Sequence, residues 1–120
     1  MERLRYSIIY AVIRPEISEQ LSIGLIIVDR EKVEVRYSQD KLNAMQNLFS
    51  DNEYQFIAGT VSSMTKDNKL ETVEDVNYLI RYSNNLIAFS PLQSIDISPT
   101  DQNKDWLFAN YVYNKERKTA

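Results

Sequence analysis

The sequence predicts a single α+β domain in which a mostly antiparallel sheet of four or five strands carries about four helices. Two long runs rich in Ile, Val and Tyr occupy the first 28 residues, and these residue types favour strands. After residue 37 the spacing of the apolar residues changes from two to about 3.6, the period of a helix. Short strand-like segments then return before a last helix. The predicted order over residues 1–120 is therefore βββαααβ(β)α.

The first two strands are predicted at residues 4–13 and 21–28, with a polar turn at residues 14–20 between them. Both faces of each strand are apolar towards the centre, so we expect this pair to be central and covered on at least one side. Gly24 lies in the middle of the second strand, where glycine is intrinsically unfavourable. It marks either a β-bulge or close backbone approach, or a position beside a ligand.

A third strand is predicted at residues 32–37, after a short polar connection that is consistent with a hairpin. Val33, Val35 and Tyr37 alternate there with charged residues, which is the pattern of a half-exposed strand. Outward charges of this kind would protect a sheet edge from unwanted pairing.

Three helices are predicted next, at about 40–49, along an apolar stripe from 54 to 64, and from 72 to about 83. Thr72 followed by Asp75 is a capping box that opens the third of these helices. We expect the helices to lie largely on one face of the sheet.

Two short strands are predicted at residues 86–89 and 94–97, with a turn at residues 84–85 before the first of them. Ser98 followed by Pro99 at the first helical position then predicts the start of the last helix.

Composition and charge narrow the classes of partner. The formal net charge is −3 and the sequence pI is near 5.0, whereas phosphate backbones are normally bound by a basic surface. No apolar run approaches the roughly 20 residues that a membrane span needs. We therefore expect a cytoplasmic protein that binds neither nucleic acid nor membrane.

The chain contains no Cys and no His. Thiolate metal sites, thiol nucleophiles and Ser-His-Asp triads are thereby excluded, together with the commonest metal ligand and general base. Four acids lack the alternate-position spacing of a calcium loop: Asp67, Glu71, Glu74 and Asp75. We expect no metal and no cofactor, and the balance favours a protein that is not an enzyme.

One enzymatic alternative stays open, a metal- or carboxylate-dependent hydrolase or nuclease-like enzyme. Without His or Cys its catalysis would depend on carboxylates, Lys, Tyr or a carboxylate-bound hard cation. Such an enzyme needs a concave pocket with at least two convergent carboxylates, for which Glu19 with Asp29 or Asp96 are the candidates.

The candidate binding surface is the polar turn between the first two strands together with neighbouring residues of those strands. Its charges and the nearby tyrosines could contact a protein partner, since tyrosine suits surfaces that are apolar at one end and wet at the other. The alternative is an ordinary solvated turn beside tyrosines at the edge of the core. The candidate binding residues are Arg14, Glu16, Glu19, Tyr6, Tyr10, Ser22 and Gly24.

Two segments of the chain carry short motifs. The first segment has a Tyr-containing apolar strand, a Pro-containing turn, a Glu and a strand with Ser-Ile-Gly. The second has an acid followed by a Leu-Phe helix. The residues of these motifs are Tyr6, Pro15, Glu19, Ser22, Ile23, Gly24, Leu25, Ile26, Asp105, Leu107, Phe108 and Val112. Together they resemble a bacterial family known as a domain of unknown function, numbered 3037, in which Asn-Val-Gly stands where this chain has Ser-Ile-Gly.

The resemblance implies a context rather than an activity. Members of that family often lie beside kinases resembling the HipA persistence toxin. The resemblance therefore implies an accessory protein of a toxin–antitoxin, stress or phage-defence system, with a HipA-like kinase as its partner. The leading hypothesis is a small protein-binding module, and the sequence also allows a homodimer.

Overall fold

The computed structural model describes residues 4–66, 72–81 and 86–114, except for the side chains of Lys66 and Leu79. The described residues form a five-stranded antiparallel sheet and four α-helices, which confirms the predicted α+β class. Two short 3-10 helices lie at Pro15–Ile17 and Gln46–Leu48. The other elements are β1 (Leu4–Arg14), β2 (Glu19–Asp29), β3 (Lys32–Tyr37), α1 (Gln39–Ala44), α2 (Asp51–Lys66), α3 (Val73–Arg81), β4 (Ile87–Phe89), β5 (Gln93–Ile95) and α4 (Asp101–Tyr111).

The strand β1 is the centre of the sheet. It pairs with β2 along one side, and with β4 and β5 along the other. The strand β3 follows β2 and forms one edge, so the order is β3-β2-β1-β4 with β5 beside the start of β1. The predicted spine of two long paired strands is thus confirmed.

The strands β4 and β5 run along the same side of β1 and are separated by an interruption at Ser90. The backbone N–H of Ile8 donates to the Ser90 hydroxyl over 2.8 Å, and the buried Ser7 hydroxyl donates to the Ser90 carbonyl over 2.6 Å. Pro91 follows and has no N–H to give to the ladder. Serine side chains therefore satisfy one backbone group on each side of the interruption, the N–H of Ile8 in β1 and the carbonyl of Ser90.

The sheet is covered on both faces. Residues of α1, α2 and α3, among them Leu42, Ile57 and Val76, pack with Ile9 and Ala11 of β1 on one face. The other face carries α4, whose Leu107 is completely buried against Leu4, Ile8, Leu25 and Ile27. Three helices thus share one face as expected, whereas α4 covers the opposite one. This explains why β1 is apolar on both of its sides.

A β-bulge at Ile23 reverses the side-chain alternation of β2. Ile9 pairs with Gly24 and Tyr10 pairs with Ser22, so that Ile23 has no partner in β1. An extra residue shifts every later side chain to the opposite face. Ile23 therefore packs with Ile26 on the three-helix face.

Gly24 lies next to the bulge and against β3. A Cβ atom at this position would lie 2.9 Å from the Arg36 carbonyl oxygen and 3.1 Å from Cδ1 of Ile9. The bulge and the close backbone approach therefore both occur here, and they account for the glycine by packing.

Several helix boundaries differ from the predictions. The helix predicted at 40–49 ends at Ala44 and continues as a 3-10 turn. The last helix begins at Asp101 rather than Pro99, because the Thr100 side chain caps it by accepting from the N–H of Asn103 over 3.2 Å. The predicted end of the third helix at 83 and the turn at 84–85 lie outside the described residues.

Two capping boxes begin the helices α2 and α3. The predicted box is confirmed, since Thr72 and Asp75 exchange two backbone–side-chain hydrogen bonds of 3.2 Å each. An unpredicted box joins Ser50 and Glu53 at the start of α2 by bonds of 3.0 and 3.2 Å. The hydrogen bond that the Ser50 N–H donates to the Glu53 carboxylate lowers the pKa of Glu53, because it favours the charged form. In the part of the chain that is described, no helix has the length and apolar character that crossing a bilayer requires.

Candidate partner-binding surfaces

The hairpin of β1 and β2 projects beyond the strands on either side of it. The pairing of β3 with β2 ends at Gly24, and the pairing of β4 with β1 ends at Ala11. A hydrogen bond of 2.9 Å from the N–H of Val12 to the Leu86 carbonyl is the next contact on that side. Residues 13–20 therefore form a two-stranded arm, here called the β1–β2 arm, whose residues 14–20 are all exposed.

The tip of the β1–β2 arm combines charge with an exposed apolar side chain. Arg14 and Glu19 face each other across the two strands, with 3.7 Å between Nε and Oε1. Ser18 adopts a left-handed backbone conformation with φ of 55°, which closes the turn. Ile17 is 65% exposed. An exposed ion pair contributes little to stability, so these side chains are available for other contacts.

The structure separates the seven candidate binding residues into three places. Arg14, Glu16 and Glu19 lie together at the tip of the arm. Tyr10 and Ser22 lie opposite each other further down the hairpin. Tyr6 and Gly24 are buried in the sheet and do not reach the surface of the turn. Binding by the exposed members stays a prediction.

Tyr6 belongs to the core beneath α4. Its hydroxyl donates to Oε1 of Gln93 over 3.0 Å, and its ring stacks on Tyr111 with 5.1 Å between centroids. The interaction with the neighbouring Tyr111, together with burial, raises the pKa of Tyr6 to about 12. These contacts describe a structural tyrosine that links β1, β5 and α4.

Sequence reasoning missed the interactions of Lys41. Its Nζ donates to the Ser22 hydroxyl over 3.0 Å and to the carbonyl of Val112, at the end of α4, over 2.7 Å. Burial lowers the pKa of Lys41, because it penalises the charged form. A cation at a helix C-terminus stabilises the last carbonyls. Both contacts join parts of the fold, so Lys41 holds α1, β2 and α4 together.

An ion-pair network joins the edge strand β3 to α4. Arg36 contacts Glu34 through Nε, and its Nη1 lies 2.6 Å from Oδ1 of Asp105. Lys104 lies 3.6 Å from Oε1 of Glu34 and is only 14% exposed. Leu107 anchors α4 in the core, and the ion pairs add a second attachment between the helix and the edge strand β3.

A cleft of about 400 Å³ follows the outer side of β3. One wall comes from the end of α2, and the other comes from α4. Six of its lining residues are Lys32, Val33, Glu34, Val35, Met64 and Lys104. We call this cleft the β3 groove.

The acids proposed for a hydrolase do not converge. Glu19 is at one end of β2 and Asp29 is at the other, about 33 Å away along an 11-residue strand. Asp96 directly follows Ile95, which pairs with Leu4 at the end of the sheet far from Glu19. Among the described residues there is also no cluster of three or more acids that could hold a metal ion.

Comparison with known proteins finds no family model, no curated protein and no solved structure that matches this chain. The resemblance to the domain family numbered 3037 therefore stays a prediction.

Proposed function

We propose that this chain is a small protein-binding module that docks on a partner through the tip of the β1–β2 arm. The observation that carries the proposal is the projecting hairpin, which presents Ile17 at 65% exposure between charged residues. An apolar anchor surrounded by polar residues is the usual composition of a binding hot spot.

The base of the arm supports this role. An isolated two-stranded ribbon is marginally stable in water, but β1 and β2 continue from the arm into the fully covered centre of the sheet. The arm is therefore presented on a rigid base, which lowers the entropy cost of docking. The partner would supply an apolar pocket for Ile17 and charges complementary to Arg14, Glu16 and Glu19.

A HipA-like kinase is the first partner to test, as an accessory interaction in a toxin–antitoxin, stress or phage-defence system. The sequence resemblance is the support for this choice. The proposal also places the interaction in the cytoplasm.

The experiment is isothermal titration of the purified chain against a purified HipA-like kinase. The test variant is Ile17→Asp, and the control is Leu48→Asp, which changes a 55% exposed side chain elsewhere on the surface. Truncation of a hot spot costs more than about 1 kcal/mol, so we expect Kd to rise about tenfold for Ile17→Asp and to stay unchanged for Leu48→Asp.

Two results would contradict parts of the proposal. Absence of binding by the unmodified chain would exclude that kinase as the partner. Binding that is equally strong with Ile17→Asp would exclude the arm as the contact surface.

A further inference from the structure

The strand β3 forms an edge of the sheet with a row of outward backbone groups. Among the described residues it pairs only with β2. In an antiparallel pair, residues alternate between bonding to the neighbouring strand and pointing away from it. The N–H of Ser38 donates to the Ile23 carbonyl over 3.0 Å, which identifies the even-numbered residues as those bonded to β2. The N–H and C=O groups of Val33, Val35 and Tyr37 are therefore directed outward.

The β3 groove has room for one more strand along this edge. Met64 and Thr65 of α2 line it on one face of the sheet, and Lys104 of α4 lines it on the other. A strand in the groove would lie about 4.8 Å from β3 and would satisfy the outward groups. Its side chains would point alternately towards the two walls.

The two walls differ in chemistry. On the α2 side, Val33, Val35 and Met64 present apolar surface. On the α4 side, both carboxylate oxygens of Glu34 are already engaged, by Lys104 and by Arg36. Lys32 lies directly across from Asp29 of β2, which also lines the groove, but among the described residues no acid lies within ion-pair distance of Lys32, which is exposed at the open side of the groove. Side chains directly opposite each other on neighbouring strands interact at about 5 Å, so an acid opposite Lys32 is favoured and a base is disfavoured.

A second copy of this chain fits the edge less well than a peptide does. In a continuous sheet the two β3 strands would be about 4.8 Å apart. The helix α2 packs over β3, and two such helices need about 8–10 Å between their axes. The flanking helices thus leave space for a single extended chain.

From these observations we propose that the β3 groove binds an extended peptide segment of a partner protein as an additional strand. Its apolar side chains face Val33 and Val35, and an acidic side chain lies opposite Lys32. The inference shares with the proposed function the premise that the chain binds proteins. It concerns a surface at the other end of β2 from the β1–β2 arm, so each can fail separately.

The experiment uses two synthetic ten-residue peptides of alternating sequence, one with Val and Glu and one with Val and Lys. Each is titrated into the ¹⁵N-labelled chain, with amide shifts giving the location and Kd. We expect the acidic peptide to bind and to shift the amides of Val33, Val35 and Tyr37. We expect Lys32→Glu to weaken acidic-peptide binding about five- to tenfold and to strengthen binding of the basic peptide.

Two further variants test the mode of binding. Val35→Pro removes an outward N–H at an edge position where proline is tolerated, so we expect loss of peptide binding with the amide spectrum of the core retained. If Val35→Pro does not fold, the charge reversal at Lys32 alone decides. The matched control is Leu48→Asp, which changes an exposed side chain outside the groove and which we expect to bind the peptide as the unmodified chain does.

Three outcomes would overturn the inference: no binding of either peptide, binding that leaves the amides of 33, 35 and 37 unshifted, or unchanged peptide preference in Lys32→Glu. A dimer by light scattering, with the same amides protected from hydrogen exchange, would assign the edge to a second copy and would also overturn it.

Discussion

The two glycines of this chain should respond to alanine in opposite directions. At Gly24, a new Cβ would lie 2.9 Å from the Arg36 carbonyl oxygen, closer than real Cβ atoms approach other atoms. That oxygen belongs to a paired strand, so relief requires β2 and β3 to separate locally. At Gly59, in the exposed part of α2, no atom lies within 4 Å of the new Cβ.

The magnitudes follow from two effects. Replacing glycine by alanine where the backbone allows it stabilises by about 0.4–1 kcal/mol, because the unfolded chain loses conformational freedom. Neither glycine has a positive φ, so this gain applies at both positions. Overpacking in a close-packed core costs about 1–3 kcal/mol. We therefore expect Gly24→Ala to lower the free energy of unfolding by about 1–2 kcal/mol, and Gly59→Ala to raise it by about 0.5–1 kcal/mol.

The assay is urea unfolding followed by far-UV circular dichroism and by the fluorescence of Trp106, with equal m-values required for the comparison. Each variant differs from the unmodified chain by one added methyl group, so each is the control for the other. A Gly24→Ala variant as stable as the unmodified chain would refute the packing explanation of this glycine. It would reopen the possibility of a position beside a ligand.

Three further predictions concern α4 and the tyrosine beneath it. Leu107→Ala should lower the free energy of unfolding by about 2–5 kcal/mol, since the side chain is completely buried. A loss below about 1 kcal/mol in chemical denaturation would show that Leu107 does not anchor α4. Thr100→Ala should lower the free energy of unfolding by about 1 kcal/mol and Ser98→Ala should lower it much less, because the Thr100 side chain caps α4. Equal thermal stabilities of the two variants would contradict the start of the helix at Asp101. Tyr6→Phe should cost about 1 kcal/mol at neutral pH through the lost bond to Gln93. The pKa of Tyr6 in the folded state is raised to about 12, so the stabilisation by its hydroxyl is complete below pH 10 and is lost as pH rises from about 10 to about 12. Over that pH range the free energy of unfolding should therefore fall less steeply for Tyr6→Phe than for the unmodified chain. Identical slopes would refute the role of this hydroxyl.

The candidate surfaces depended on tertiary structure to different degrees. The charged turn of the β1–β2 arm is local, so Arg14, Glu16 and Glu19 could be placed together from their spacing alone. Tyr6 and Gly24 could not be excluded from that surface, because spacing does not show which strand residues a distant helix covers. The same holds for Lys41, whose partner Val112 is 71 residues away.

Residue types and their spacing were enough to predict the strands, the change of period after Tyr37 and the capping box at Thr72, because these features depend on residues a few positions apart. The position of α4 on the second face of the sheet could not be predicted in this way and is known from the folded structure. The same holds for the bulge at Ile23, which redirects β2, and for the position of α2 and α4 on either side of the β3 edge. These features arise from packing and pairing between segments that are distant in the chain, and local patterns of residue types do not predict such contacts.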